Sequence, residues 1–363
     1  MKNEIKQRVA VGMSGGVDSS VAAALLKEQG HEVIGVFMKF WSENIKGKIR
    51  ENICCSLESS EDARQVCNKL GVPFYVIDMK VPFKKKIVDD FVNEYECGHT
   101  PNPCVRCNQY IKFEELWKKL KPMGVDFVAT GHYARVETIH ELSLPPRALL
   151  RAGRDKNKDQ SYFLHQIQQK HLKHTLFPLG DYTKPNVRKL AKKYGLSTAS
   201  KKESQEICFV ADGKVGEFLK RYIKFEKGNI VDVGSEDVLG QHEGLPLYTI
   251  GQRKGIGLAG GPWYVVQLDK KKNILWVSKD EKDLHSKELI VRSVNWISGE
   301  QPKLPLKCKC KIRYRSDFVV ATIHELSQGK YRVEFTKPQR AITSGQYCVF
   351  YKGEECLGGG VIE

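Results

Sequence analysis

The stretch that most constrains this chain is VAVGMSGGVDSSVAAALL, residues 9–26. A β-branched apolar run gives way to a glycine turn and then to a helical pattern across Gly12, Met13, Ser14, Gly15, Gly16, Val17, Asp18 and Ser19. Glycines let backbone N–H groups approach phosphate oxygens, and a helix N-terminus adds donors and a favourable dipole. The spacing is neither that of a Walker A loop nor G-x-G-x-x-G. It predicts a phosphate-binding strand–loop–helix unit, with an ordinary glycine-rich turn as the alternative.

The alternation of strand and helix continues over the first two hundred residues. Strand patterns occur at residues 8–13, 31–38, 72–79 and 125–133, and the helical patterns between them each stop at a glycine. A further helical pattern covers residues 183–196, with a proline near its start. Alternation of this kind predicts an α/β fold in which helices cover a parallel sheet.

The pattern changes after about residue 205. Short β-rich runs separated by glycine or charged turns replace the helical periodicity, and the last eighty residues have the pattern of a small all-β barrel. We therefore predict three domains: an α/β nucleotide-binding domain at 1–204, a small central domain at 205–284 and a β-barrel at 285–363. Within the barrel, KIRYRS (311–316) has the pattern of a strand with alternating cations.

The charge of the chain is strongly positive and unevenly distributed. The net charge is +16 in total. It is +11 in residues 1–204, zero in residues 205–284 and +5 in residues 285–363. A polyanion such as RNA fits this excess at both ends, because the release of phosphate counterions drives binding. A basic protein without such a partner would have the same composition.

The sequence also bears on where the protein works. No run of about 18 apolar residues predicts a membrane span, and the N-terminal residues lead into a strand without an apolar signal segment. We therefore expect a cytoplasmic protein with no membrane partner. Eleven cysteines in a reducing compartment favour reactive or metal-bound thiols over structural disulfides.

The glycine turn resembles the S-G-G-x-D-S signature of the PP-loop ATP pyrophosphatases. This resemblance implies that ATP is split into AMP and pyrophosphate, so that an oxygen of a second substrate becomes adenylated. Asp18 would then help to hold Mg²⁺ on the pyrophosphate, and capping of the helix N-terminus is its structural alternative. Met38 and Gly131 lie toward the C-terminal ends of their strand patterns, and open sheets bind ligands at the carboxyl ends of their strands.

The segment TPNPCVRCNQYIKF (100–113) contains Cys104 and Cys107 in a C-x-x-C spacing. Such a pair can be half of a zinc site, a redox dithiol, part of an iron–sulfur cluster or two buried thiols. For zinc, Cys97 would be a third ligand, but no equally placed fourth is evident. Cys208, within an apolar run, taken alone has the pattern of a core thiol.

Taken together, the motifs closely resemble those of the tRNA-specific 2-thiouridylases over essentially the full length. The resemblance rests on GMSGGVDSS, TPNPCVRCNQYIKF, ATGHYAR, KDQSYFL, ESQEICFV, TIGQRKGIGL, RYR and SGQYCVFY. It implies that ATP adenylates O2 of the wobble uridine in tRNA and that sulfur then displaces AMP from C2. A sulfur-relay protein, a cysteine desulfurase or a carrier, would supply the sulfur.

The resemblance places the two working thiols at Cys107 and Cys208. Cys208 would carry a persulfide, and a Cys107–Cys208 disulfide would remain after transfer. Some relatives have Asp at the position of Cys104, where the carboxylate acts as an acid or base. Relatives with cysteine there resemble enzymes that hold an iron–sulfur cluster on three cysteines, here Cys104, Cys107 and Cys208. The sequence does not separate the persulfide and cluster mechanisms.

Further positions match those where the family touches tRNA. They are Asn102, Pro103, Cys104, His132, Lys158, Asp159, Gln160, Arg313, Tyr314 and Gln346. Each has a plain alternative as a solvated or strand-face residue. A rival function is that of a PP-loop ligase that forms amide or other C–N bonds, which would also adenylate its substrate but would need neither Cys107 nor Cys208.

Overall fold

The computed structural model describes residues 6–45, 48–50, 56–139, 146–202, 207–210, 214–327 and 329–363. These residues form three packed units, each with its own apolar core. The first is a parallel sheet with helices, the second a small β-domain and the third an antiparallel barrel. The α/β, central and barrel architecture predicted from the sequence is confirmed.

The first unit is a five-stranded parallel sheet in the order β5–β2–β1–β6–β9. Its strands are β1 (Arg8–Met13), β2 (Glu32–Lys39), β5 (Phe74–Asp78), β6 (Phe127–Ala129) and β9 (Thr175–Leu176), and a separate hairpin consists of β3 (Glu43–Ile45) and β4 (Lys48–Arg50). Because β1 lies between β2 and β6, the strand order reverses beside β1. Open α/β sheets bind ligands at such a reversal.

Helices cover this sheet. They are α1 (Val17–Glu28), α2 (Leu57–Leu70), α3 (Lys80–Phe83, Lys84–Val88 and Asp89–Glu96), α4 (Pro103–Arg106, Cys107–Glu115 and Leu116–Leu120), α5 (Ser161–Leu164), α6 (Gln169–Leu172) and α7 (Lys184–Lys193). The middle segments of α3 and α4 are π-helical. Gly71 ends α2 in the left-handed conformation, at φ 59°, as the predicted glycine stop requires.

The central unit begins with the short helix α8 (Val215–Leu219) and continues as a four-stranded sheet in the order β11–β10–β13–β12. Its strands are β10 (Gly228–Asp232), β11 (Val238–His242), β12 (Tyr264–Asp269) and β13 (Ile274–Ser278). The apolar side chains of this sheet pack against Leu245, Ile256 and Trp263, which belong to the glycine-rich stretch.

The third unit is a closed six-stranded antiparallel barrel. Its strands are β14 (His285–Trp296), β15 (Leu306–Lys311), β16 (Val319–Ser327), β17 (Lys330–Arg340), β18 (Tyr347–Lys352) and β19 (Glu355–Ile362), and β14 pairs with β19 to close it. The hairpin β7 (Ala134–Ile139) and β8 (Arg147–Ala152) extends this sheet, since Leu150 pairs with Cys356 of β19. The sequence did not indicate that a hairpin from the first two hundred residues joins the barrel sheet.

One predicted strand is wrong. Strand β15 ends at Lys311, and residues 312–316 form a bend and turn. The reason is that Arg313 turns back onto the barrel, where its guanidinium donates to the Thr343 hydroxyl at 2.8 Å and to the Ala341 carbonyl. No helix of the described residues is long and apolar enough to span a membrane.

Candidate active site

The glycine turn connects β1 to α1 at the place where the strand order reverses. Gly15 has φ +68°, and a Cβ built there would lie 2.3 Å from the Ser59 carbonyl oxygen of α2. Only glycine fits that approach. The Ser19 hydroxyl accepts from the Ser14 N–H at 3.2 Å and donates to the Gly16 carbonyl at 3.2 Å, which holds the turn against the first turn of α1.

The other two residues predicted to contact the nucleotide border the same turn. A Cβ built on Gly131, just after β6, would lie 2.7 Å from the Ser19 N–H nitrogen, so the missing side chain lets this loop reach α1. A Cβ built on Gly12 would lie an ordinary 3.7 Å from Cε of Met38, near the end of β2. The structure thus collects Gly12, Met13, Ser14, Gly15, Gly16, Val17, Asp18, Ser19, Met38 and Gly131 at the carboxyl edge of three neighbouring strands.

Asp18 has two partners that the sequence did not predict. Both carboxylate oxygens lie 2.8 Å from Nζ of Lys184, and Oδ1 also accepts from the Tyr133 hydroxyl at 2.7 Å. Lys184 is the first residue of α7 and is buried, and its N–H donates to Asp155. The sequence signal for Lys184 was the Thr-Lys-Pro start of that helix. It placed a lysine at a helix N-terminus but did not indicate that its side chain points toward Asp18.

Cys104 and Cys107 lie in the first two segments of α4. Asn102 is the N-cap, Pro103 occupies the first turn, Cys104 is exposed and Cys107 is buried at the start of the π-helical segment. π-helical turns occur frequently at functional sites. Beside them, Arg106 forms a 3.1 Å ion pair with Asp90 of α3.

Cys208 lies beside the same core as Cys107. Cys107 is part of the α/β core, and Cys208 is half-buried against it. The next residue, Phe209, packs its ring against Phe91 of α3 at 5.2 Å and against Phe83 at 5.8 Å. Helix α3 therefore supports both cysteine-bearing segments. Residues 203–206 of the ESQEICFV motif lie outside the described residues.

The loop before α4 is held by both of the other units. Thr100 donates its N–H to the Ser344 carbonyl at 2.9 Å and accepts from the Gln346 amide at 2.6 Å, both from the barrel. Its hydroxyl lies 3.2 Å from that of Thr249 in the central unit. Gln346, predicted to touch tRNA, therefore has a definite role within the protein, as a support of the loop that leads to Cys104.

The other predicted RNA contacts also have partners within the chain. Asp159 is buried and accepts from the Gly153 and Ser161 N–H groups at 3.0 Å, and Gln160 accepts from the Tyr133 N–H at 2.9 Å. The preceding Lys158 is half-buried. The Asp159 carboxylate thus fixes the turn that carries Lys158 and Gln160.

His132 and Tyr314 lie against aromatic rings. His132 shares a 2.6 Å hydrogen bond with the Thr130 hydroxyl, and its ring packs against those of Phe113 and Phe177. Burial, reinforced by the nearby Lys112, lowers the pKa of His132 well below its usual value, so the ring is neutral at pH 7. The Tyr314 ring packs 4.5 Å from Phe163.

The described residues contain no preformed metal site. Among them, no three His, Cys, Asp or Glu side chains come together closely enough to hold a metal ion. As placed, Cys104, Cys107 and Cys208 do not form a ligand set for a metal ion or cluster.

Comparison with known proteins places the chain in one family. The tRNA methyl transferase HUP domain model matches residues 7–212, the tRNA methyl transferase PRC-barrel domain model residues 216–279, and the aminomethyltransferase beta-barrel domain model residues 286–362. Among solved structures, the U34-tRNA thiolase NcsA from Methanococcus maripaludis is 19% identical, with 61% of this chain and 67% of that chain covered and a TM-score of 0.35.

Full-length relatives agree with the domain models. The tRNA-specific 2-thiouridylase MnmA of Clostridioides difficile is 46% identical over 362 residues, 99% of either chain. That of Symbiobacterium thermophilum is 48% identical over 365 residues, covering 99% of this chain and 93% of the relative. With this identity maintained from the glycine turn to the end of the barrel, the chain belongs to the tRNA-specific 2-thiouridylase family.

Proposed function

We propose that this enzyme uses ATP to place sulfur on C2 of the wobble uridine in tRNA anticodons. The observation that carries the proposal is that the glycine turn, Cys107 and Cys208 all border one continuous apolar core, which fills the α/β unit and extends to strands β18 and β19 of the barrel. A ligase that forms C–N bonds would need the turn but not the two thiols, and the family membership favours thiolation.

The first step is activation of the uracil ring. Uracil O2 attacks the α-phosphorus of ATP, the bond between the α-phosphorus and the bridging oxygen breaks, and pyrophosphate leaves. The backbone N–H groups at the start of α1 and the glycine turn are suited to hold the departing phosphates, because they are donors at a helix N-terminus. Gly131 keeps the opposite wall close to this site.

Asp18 and Lys184 together set the charge at this site. With both carboxylate oxygens on Lys184, Asp18 would reach Mg²⁺ only by giving up part of that ion pair. In exchange, Lys184 would be released toward the phosphates, which are the strongest competing anions at the site. When bound, Mg²⁺ would neutralise the negative charge that develops on the departing pyrophosphate.

The second step is sulfur transfer. The terminal persulfide sulfur on Cys208 attacks C2, and AMP leaves with its bonding electron pair. The Cys107 thiolate then attacks Sγ of Cys208, which forms a Cys107–Cys208 disulfide and leaves the sulfur on C2. A thiol reductant restores the two thiols, and a persulfide-bearing donor protein reloads Cys208. Persulfides suit this step, because an ordinary thiol of pKa about 8.5 is only about 3% ionised at neutral pH.

An iron–sulfur cluster on Cys104, Cys107 and Cys208 would be a second route, but it would require these cysteines to come closer together than the structure places them. The two routes differ in their demand on Cys104. If a cluster acts, Cys104→Ala loses iron and activity together in anaerobically prepared protein. If the persulfide acts, Cys104→Asp keeps substantial activity, because a carboxylate at this position can do acid–base work.

The proposal is tested with labelled sulfur, tRNA and ATP. The wild-type enzyme should release AMP and pyrophosphate and label the tRNA. Cys208→Ser should still form the adenylate but transfer no sulfur, because a hydroxyl carries no transferable sulfur, and Cys107→Ser should stop turnover. Cys97→Ser is the matched control, since Cys97 is an exposed cysteine in the preceding turn. It should keep wild-type activity, whereas its inactivity would support the zinc alternative.

Two results would contradict the proposal. Release of ADP and phosphate instead of AMP and pyrophosphate would show that the glycine turn is not a PP-loop. Full labelling of tRNA by a Cys107→Ser/Cys208→Ser double variant would remove the sulfur chemistry.

A further inference from the structure

A polar cleft of about 290 Å³ separates α4 from the barrel. Its floor and walls come from three parts of the chain: α4, the segment after α5, and strands β14, β18 and β19. The side chains that define it are Arg106, Gln109, Tyr110, Gln168, Arg292 and Tyr347. Two of the domains therefore meet here around open space, directly beside the segment that carries Cys107.

Several hydrogen-bonding groups in the cleft are not used by the protein. The side-chain amides of Gln109 and Gln168 and the hydroxyl of Tyr110 make no hydrogen bond to any residue that the structure describes. Gln166, by contrast, is committed, because its amide donates to the Gly359 carbonyl at 2.8 Å. The cleft therefore offers both donors and acceptors to a ligand.

The two arginines of the cleft differ in how firmly they are held. Arg106 is 3.1 Å from Asp90, whereas Arg292 is 4.0 Å from Glu94 and 3.9 Å from Glu363. At such distances the guanidinium of Arg292 makes no hydrogen bond to either carboxylate. It is therefore the cation most readily transferred to an anionic ligand.

The backbone beside Arg292 is unusual. Ser293 has φ +52°, in the left-handed region that residues other than glycine rarely adopt, and the pairing of β14 with β19 shifts register between Arg292 and Asn295. Such bulges redirect side chains and are frequent beside functional sites, where strained backbone conformations also cluster. Here the bulge lies at the lip of the cleft.

We propose that this cleft binds a nucleotide of the tRNA loop that directly flanks the reacting uridine. The inference rests on the proposed function, because it takes the reacting base to lie at Cys107 and Cys208, and Arg106 immediately precedes Cys107. Single-stranded RNA is read by hydrogen bonds to splayed base edges, which side-chain amides provide, while Arg292 would contact the phosphate. The cleft thereby selects which uridine-containing loops are thiolated.

The test uses anticodon stem-loops in which each of the two nucleotides flanking the reacting uridine is changed in turn. Equilibrium binding and kcat/KM are both measured. The wild-type enzyme should discriminate between flanking bases, and Gln109→Ala should reduce that discrimination about 5- to 150-fold, the range for one base-edge contact. Arg292→Met should weaken binding of all loops alike and lower the salt slope by about 0.7.

Matched controls are Gln267→Ala, an exposed glutamine of β12, and Arg332→Met, an exposed arginine of β17. Both should behave as wild type. Thermal unfolding shows whether Gln109→Ala disturbs α4. If it does, Gln168→Ala, which lies on a loop, serves as the second variant.

The outcomes separate this inference from the proposed function. If both glutamine variants keep wild-type discrimination and Arg292→Met keeps the wild-type salt slope, the nucleotide assignment is wrong. Unchanged RNA binding together with weaker sulfur delivery from a donor protein would assign the cleft to that protein and also overturn the inference. A wild-type enzyme that binds the loops selectively but never thiolates them would count against the proposed function and leave the binding result to decide on the cleft.

Discussion

Asp18 lies in the first turn of α1, yet both of its carboxylate oxygens are bound by Lys184, 166 residues later. The two side chains are unequally buried, with 10% of Lys184 and 31% of Asp18 exposed. A buried ammonium group is costly without a counter-ion, so the ion pair ties the start of α7 to the glycine turn. Asp18 therefore contributes to the structure, as the counter-ion of Lys184, before any ligand binds.

This ion pair leads to a prediction at the residue scale. Lys184→Met and Asp18→Asn should each lower the free energy of unfolding, and the double variant should lose less than the sum of the two. We expect a coupling of about 1–3 kcal/mol, reduced from the fully buried case because Asp18 is partly solvated. Urea unfolding of the four proteins measures it. Strictly additive losses would mean that the pair contributes nothing to folding.

At the scale of elements, helix α2 packs on β2 through a contact between a glycine and a cysteine. A Cβ built on Gly35 would lie 2.3 Å from Sγ of Cys67 and 3.3 Å from Cγ of Met13. Cys67 is fully buried, and burial raises the pKa of its thiol to about 11, so it serves as a neutral packing group. The close approach of helix to sheet depends on the absence of a side chain at position 35.

Gly35→Ala should therefore destabilise the fold by about 1–3 kcal/mol through overpacking. In a Cys67→Ala background the same change should cost clearly less, because the sulfur that blocks the new methyl group is gone. Denaturant midpoints of the two single variants and the double variant measure the difference. An equal cost in both backgrounds would show that another contact limits this packing.

At the scale of the whole molecule, His165 lies where the α/β unit meets the barrel. It is fully buried, its ring packs 4.9 Å from that of Tyr347, and its carbonyl accepts from the Asn295 amide at 2.8 Å. Nδ1 hydrogen-bonds to the Tyr162 carbonyl, while Nε2 has no partner among the described residues. Burial lowers the pKa of His165 to about 4, so the junction is built around a neutral ring.

The lowered pKa predicts an acid-sensitive junction. Between pH 6.5 and about 4 the unfolded chain binds a proton at His165 that the folded chain does not, so stability falls as the pH falls through that window. The loss attributable to His165 should approach about 3 kcal/mol at pH 4. His165→Gln retains a donor for the Tyr162 carbonyl and should flatten this part of the curve. Unfolding free energies from pH 4 to 8 provide the measurement, and parallel curves would contradict the assignment.

Local pattern and long-range contact contributed differently to what the sequence could predict. The bounds of β1 and the start of α1 followed from periodicity and glycine placement, since both depend on neighbouring residues. The Lys184 ion pair, the support of Thr100 by Ser344 and Gln346, and the turn at Arg313 depend on residues that meet only in the folded chain. The candidate RNA contacts at Asp159 and Gln346 came from family resemblance, and their roles within the protein became visible only in the fold.

The pairing of Leu150 with Cys356 has a consequence for synthesis on the ribosome. The β8 edge of the β7–β8 hairpin emerges about two hundred residues before β19, the strand that covers it. During that interval its unpaired backbone groups are open to chance pairing with other extended segments, including those of neighbouring nascent chains. The hairpin therefore needs protection in transit until β19 is made and Glu355 pairs with Arg151 across the two strands.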